Sequence, residues 1–174
     1  DMIIDAMEER KEDGKIMAKE RMKNLPKGKY HSEVNILKYK GMDEDITLKA
    51  DIEITDNKFI IDLTDNPDQV KAPINTSFPG TFAGVATAFT AATDPHVNLN
   101  QGYFEPLDII CPEGSILNAT PPAPVSTYWE TMIFVFDLIW KALASDLPDK
   151  LTAGHFVSVM GLNLGANDPR DGKY

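Results

Sequence analysis

Ile46-Thr-Leu-Lys-Ala-Asp-Ile-Glu-Ile54 decides the fold class. Ile46, Leu48, Ala50, Ile52 and Ile54 fall on one side of an extended chain, and Thr47, Lys49, Asp51 and Glu53 on the other. Strand side chains alternate with period two, so this stretch predicts a half-buried strand with one face on a core and one in water. Thr55-Asp-Asn57 supplies turn chemistry, and Lys58 to Leu63 reads as the return strand of a hairpin. Upstream, His31 to Tyr39 carries Val34 and Ile36 at strand spacing. Residues 30–66 are therefore expected to form an antiparallel β-meander.

Ahead of the meander, residues 1–24 read as a helix. Met2, Ile3, Ala6, Met17 and Met22 form its expected apolar stripe, Gly14 weakens its middle, and Pro26 and Gly28 close it with a turn. Beyond Asp65-Asn-Pro67 the character changes. Gly80 to Ala92 is small and apolar and predicts a buried helix, ended by Asp94-Pro95. Tyr103 to Cys111 reads as a strand, Pro112-Glu-Gly114 as a tight turn, and Thr120 to Pro124 as an extended proline segment. Trp129 to Ser145 predicts a mostly buried helix, with Ile133, Phe136, Ile139, Trp140 and Leu143 at helical spacing and an Asp137–Lys141 pair on its polar edge. Met160 to Tyr174 reads as a glycine-rich loop. The class is α+β (mixed α/β): one region over 1–174, in which a helix and turn (1–28) and the meander (30–66) precede buried helices and further strands (67–174).

Formal net charge is -10, from 27 acids and 17 bases, which argues against a basic nucleic-acid-binding face. The bases concentrate before residue 41, and residues 81–140 contain no Lys or Arg. So apolar and cation-free a middle predicts buried structure or a large interface. The single cysteine, Cys111, excludes an internal disulfide, fits a reducing, cytoplasmic setting and reads as a small core residue. No apolar run approaches the ~20 residues of a membrane-spanning helix. The chain opens at Asp1 with a charged helix, not an apolar leader, and closes at Tyr174; both ends read as internal to a longer protein.

His31, His96 and His155 lack metal-ligand spacing, and no phosphate-loop glycine pattern or GxSxG elbow occurs. Spacing therefore gives no metal signature, though the three histidines could still converge in space. What stands out is a string of polar residues at the ends of regular elements: Asp62, Asp65, Asn75, Asn98, Asn100 and Asn118. Side-chain amides donate and accept, so Asn75, Asn98 and Asn100, with Asp62, are candidates to orient a small amide or carbonyl substrate. Gly102 and Gly114 are candidates for backbone positioning. Asn is also a standard turn residue, able to satisfy its own loop.

The motif order resembles the hydantoinase B/oxoprolinase family. Leu25-Pro-Lys-Gly-Lys-Tyr30 is similar to its "LPxGxY" turn, and Ile61-Asp-Leu-Thr64 with Gln69-Val70 and Ala72-Pro-Ile-Asn75 to its "DFxGT…QV.GPIN" segment. Asn98-Leu-Asn-Gln-Gly102 with Pro106 resembles "PLNEGLxRP", and Pro112-Glu-Gly-Ser-Ile-Leu-Asn118 resembles "PEGSLLN". Pro122-Ala-Pro-Val125, Lys141-Ala-Leu-Ala144 with Pro148, and Met160-Gly-Leu-Asn163 with Gly165, Asp168 and Pro169 complete the series. The chain departs from the family pattern at Asp65-Asn66, Asn98 and Glu105, which bear on the substrate more than on the fold.

The resemblance implies an internal part of a B-type subunit acting in a hetero-oligomer with a hydantoinase A-type ATP-binding subunit. It implies ATP-dependent hydrolysis of a cyclic amide such as a hydantoin or 5-oxoproline, with ATP on the partner. Any divalent metal is implied to lie in an N-terminal part outside this chain. Alternatives are a ketone (acetone- or acetophenone-type) carboxylase subunit and a non-catalytic scaffold or interface segment.

Overall fold

The structure is a computed structural model that describes residues 1–38, 42–151, 153–154, 165–167 and 169–172. His155, Asp168 and the Met160–Asn163 motif lie outside the described residues. Among those described, three helices stand with one four-stranded sheet: α1 (Met2–Met22), β1 (Gly28–Ile36), β2 (Ile46–Ile54), β3 (Phe59–Asp62), α2 (Phe78–Thr93), β4 (Leu107–Ile110) and α3 (Tyr128–Leu143).

The meander forms as its alternation dictates. β1, β2 and β3 pair antiparallel in that order, with Val34 opposite Leu48 and Ile52 opposite Ile61. Leu48, Ala50, Ile52 and Ile54 are buried, and with Phe59 and Ile61 they form the sheet's inner face. Burying each such aliphatic side chain contributes about 2 kcal/mol. β4 joins the edge parallel to β3, with Asp62 paired to Ile110. The chain crosses from β3 to β4 through α2, as a parallel pair requires. Phe89 of α2 meets Phe59 of β3 edge-on at 5.5 Å and Tyr103 at 5.6 Å. α3 lies beside α2 and packs on β1 and β2, where the Ser32 hydroxyl donates to the Leu138 carbonyl.

Three expectations are corrected. The strand expected over 103–111 starts only at Leu107, because Gln101–Phe104 forms a 3-10 turn capped by Asn100 and followed by Pro106. Tyr103 is fully buried in that turn, its hydroxyl 2.8 Å from that of Thr93. Of the expected apolar stripe of α1 only Met22 is buried, beside Gly14 and Ala18; Met2, Ile3, Ala6 and Met17 are exposed. The helix approaches the 3-10 turn too closely for large side chains. Finally, Lys141 donates to the Glu33 carbonyl of β1 at 2.7 Å instead of pairing with Asp137.

Candidate functional site

β3 and β4 run parallel and end together at Asp62 and Ile110. In open parallel α/β sheets ligands bind beyond the carboxyl ends of the strands; the one parallel pair of this mixed sheet makes that end the place to look for a site. The two loops that leave those ends, 63–77 and 111–127, are stitched into one hub. Asp68 bridges to Ser115, Gln69 N–H donates to the Gly114 carbonyl at 2.8 Å, and Thr76 and Ile116 are joined at 2.9 Å. The Gln69 side-chain carbonyl accepts from Thr120 N–H at 2.8 Å. Thr127 N–H donates to the Pro73 carbonyl at 2.9 Å, and the Thr131 hydroxyl of α3 donates to the Ile74 carbonyl.

Asn75 is the centre of this hub. It is fully buried. Its side-chain oxygen accepts from Val70 N–H at 2.7 Å, and its amide nitrogen faces the carbonyls of Val70 (2.8 Å), Ala72 (3.0 Å) and Pro124 (2.8 Å). The amide nitrogen has two N–H donors, and the three carbonyls around it take both; the oxygen holds one N–H. Gly114 sits in the hub's tight turn at φ +86, a conformation that glycine adopts without a Cβ penalty. Asn118 donates to the Cys111 carbonyl at 3.0 Å. Burial pushes the half-buried Cys111 thiol upward in pKa, and its Sγ lies 3.8 Å from the Ser115 hydroxyl.

Asp62 lies at the rim of the hub, half-exposed, and accepts from Thr64 N–H at 2.9 Å. It shares a cross-strand row with Asp51 and His31 on the sheet's wet face. His31 bridges two carboxylates, with Nδ1 2.8 Å from Asp51 and Nε2 3.3 Å from Glu33, and these hydrogen bonds raise its pKa. Lys49 reaches Asp65 at 2.7 Å; this contact raises the lysine's pKa and lowers the aspartate's. Between this face, the 42–46 segment and the hub opens a polar cleft of about 910 Å³, with Lys49, Asp65, Gln69 and Lys71 on its walls.

The other three candidates lie at the opposite end of the parallel pair. Asn98, Asn100 and Gly102 precede β4, one strand length from the hub, about 13 Å at the usual rise. Asn98 is exposed. Asn100 caps the 3-10 turn by accepting from Tyr103 N–H at 3.3 Å and donates to the Arg10 carbonyl of α1 at 3.0 Å. A Cβ on Gly102 would stand 1.8 Å from the Lys11 carbonyl oxygen, and one on Gly14 would stand 2.1 Å from Asn100 Oδ1. These residues make a seam between α1 and the turn: Gly102 meets the α1 backbone at Lys11, and Gly14 admits the Asn100 side chain. The candidates therefore form two groups: Asp62, Asn75 and Gly114 at the hub, and Asn98, Asn100 and Gly102 at the seam.

Sequence reasoning missed Gly14 as a contact residue, Gln69 and Thr131 as staples, and the His31 bridge. Cross-strand register alone could have found the last. Among the described residues, no three His, Cys, Asp or Glu side chains gather as metal ligands, and no helix is long and apolar enough to cross a membrane.

The motifs that converge on the hub carry a wider likeness. The Hydantoinase B/oxoprolinase family model matches residues 1–174. The chain belongs to the hydantoinase B/oxoprolinase family. It is 37% identical to an uncharacterised protein of Methanocaldococcus jannaschii over 133 residues, 76% of this chain and 23% of that one. It is 29% identical to the B-type component of a provisionally named D-/L-hydantoinase from a Pseudomonas species over 149 residues, 79% of this chain and 25% of that one. The hydantoinase B fold recurs in the ATP-dependent caprolactamase of Pseudomonas jessenii, with a TM-score of 0.76 and 22% identity over 86% of this chain and 26% of that one. It recurs in an acetone carboxylase, with a TM-score of 0.67 and 15% identity over 81% and 21% of the two chains. The chain spans about a quarter of the length of the curated relatives it matches.

Proposed function

We propose that this chain is an internal part of a B-type subunit that, with a hydantoinase A-type ATP-binding subunit, hydrolyses a small cyclic amide in the cytoplasm. The observation that carries the reading is the family match along the whole chain; the relative named as the B-type component of a hydantoinase supports it. Amide resonance makes a lactam carbonyl a poor electrophile. Transfer of a phosphoryl group from ATP to the carbonyl oxygen releases ADP and makes the carbon a better electrophile; water adds to it, the ring nitrogen takes up a proton and leaves as the C–N bond breaks, and a second water hydrolyses the resulting acyl phosphate to carboxylate and phosphate. ATP belongs on the partner in this reading, and any divalent metal on parts of the subunit outside this chain.

The hub residues give this region its share of the work. Half-exposed Asp62 and the separate cleft lined by Lys49, Asp65 and Gln69 are proposed to meet substrate or the surface that delivers it; Asn98 is proposed to do so at the other end. Asn75 and Asn100 act through the backbone they hold, as Gly102 and Gly114 do through the turns they permit. The ketone-carboxylase reading shares the same fold, as the acetone carboxylase likeness makes plain.

The deciding experiment measures ATP hydrolysis by the complete subunit with its A-type partner. Stimulation by hydantoin, 5-oxoproline or caprolactam supports the cyclic-amide reading. Stimulation only by acetone with bicarbonate transfers the subunit to the carboxylases. No stimulation by either overturns the proposal.

A further inference from the structure

α2 contains no charged residue along its 16 positions, and the chain carries no Lys or Arg between Lys71 and Lys141. A helix with this composition is expected to be enclosed on all sides. It is enclosed except along one face. Val85, Ala88, Phe89 and Ala92 are buried against the sheet and α3, while Ala83 and Thr87 lie exposed on its outer face.

That outer face is a groove in two segments that share Ala83. One, of about 420 Å³, runs along Thr87 and Thr90 to Leu99 and Phe104. The other, of about 460 Å³, runs from Gly80 to Val125, Tyr128 and Met132. Its rim carries exposed large apolar groups: Leu99 at 54%, Tyr128 at 44% and Val125 at 40%. Small residues along the floor let another backbone come close, as in helix packing. The absence of charge matches permanent interfaces, which resemble a core cut in half, more than transient ones.

We infer that an apolar segment of the same polypeptide, supplied from outside residues 1–174, covers this groove in the complete subunit. The inference rests on the reading of the chain as part of a B-type subunit. Its occupant follows from length: the relatives carry about three quarters of their sequence beyond the region matched here.

The test is thiol labelling of Thr87→Cys in the complete subunit that carries this sequence. Thr87 is exposed here and its hydroxyl only returns to the Ala83 carbonyl at 2.7 Å, so the substitution is mild. Leu99→Cys, at the rim, serves as a second reporter should the first perturb α2. Maleimide labelling, read by peptide mass and referenced to the same cysteine in denaturant, is expected to slow by roughly tenfold or more in the monomeric subunit alone. Fast labelling in the subunit that is blocked only when the A-type partner is added overturns the inference and gives the face to the partner. Blocking only at concentrations where the subunit dimerises gives it to a second copy. Fast labelling throughout leaves the face open to solvent and sinks the idea. Labelling needs neither ATP nor substrate, so a protected cysteine with no stimulated ATPase would fault the proposed reaction and leave the covered face standing.

Discussion

In the meander, burial follows the sequence period: Leu48, Ala50, Ile52 and Ile54 are inside, and Lys49 and Asp51 face outward. In the hub, the buried groups are polar. Asn75, Thr76 and Ser115 are all at or below 5% exposure, and no buried side-chain nitrogen or oxygen among the described residues lacks a hydrogen-bond partner. The meander is stabilised by area removed from water, a quantity that degrades gradually. The hub is stabilised by saturated hydrogen bonds, and losing one partner strands several buried groups at once. Two regions that share a sheet should therefore fail in different ways.

The sharpest break is expected at Asn75. Asn75→Ala leaves Val70 N–H and three carbonyls facing a void, for a loss of about 4 kcal/mol in urea unfolding, because each unsatisfied buried group costs ~1–3 kcal/mol. Asn75→Asp should rescue little, since it turns donors into acceptors opposite those carbonyls. If Asn75→Asp matches wild type, the hub is not held as described. In the meander, Ile52→Ala should cost about 3 kcal/mol, as large-to-small core changes do, and Ile52→Val should recover most of it. That graded series, absent at Asn75, is the contrast to look for.

Gly102→Ala places a Cβ inside the seam and should cost about 2 kcal/mol by overpacking. Faster amide exchange confined to α1, with the hub unchanged, would show that the seam is independent of both regions. The smallest effect is expected at His31. Its folded pKa is raised above 6.5 by Asp51 and Glu33. The stabilisation it adds is therefore fully present below pH 6.5 and fades as pH rises through the raised value. An NMR titration of the imidazole should show Asp51→Asn moving that pKa down. No movement would mean that the bridge between β1 and β2 does not persist in solution.

The meander was legible because a strand's period is local: Ile46 to Ile54 states its inner and outer faces without reference to anything distant. α2 and α3 were legible for the same reason, from their apolar runs and from Asp94-Pro95 and Pro148. The site was legible only as a set of residue types. Nothing adjacent to Asn75 says that it will reach across to Pro124, or that Asn100 will face α1, 90 residues away. A glycine that weakens a helix and a glycine that admits a close neighbour read identically; Gly14 proved to be the second, admitting the Asn100 side chain. Fold pattern is written along the chain, whereas these polar contacts arise from which loops the β3–α2–β4 crossover brings together.

The seam between α1 and the 3-10 turn has a further consequence. A contact made by side chains can be re-tuned, because rotamers yield and a neighbour can shrink to accommodate a larger group. Gly102 against the Lys11 carbonyl offers no such adjustment, because there the turn meets helix backbone with no side chain between them. If α1 slid by one residue, Asp13 or Lys15 would arrive where Gly14 now passes Asn100, and its Cβ would push the Asn100 side chain off its bonds to Arg10 and Tyr103. The seam thus works as an index mark on the helix. It fixes how far the charged arm of residues 2–10 extends from the body, and so where any surface carried by that arm is presented.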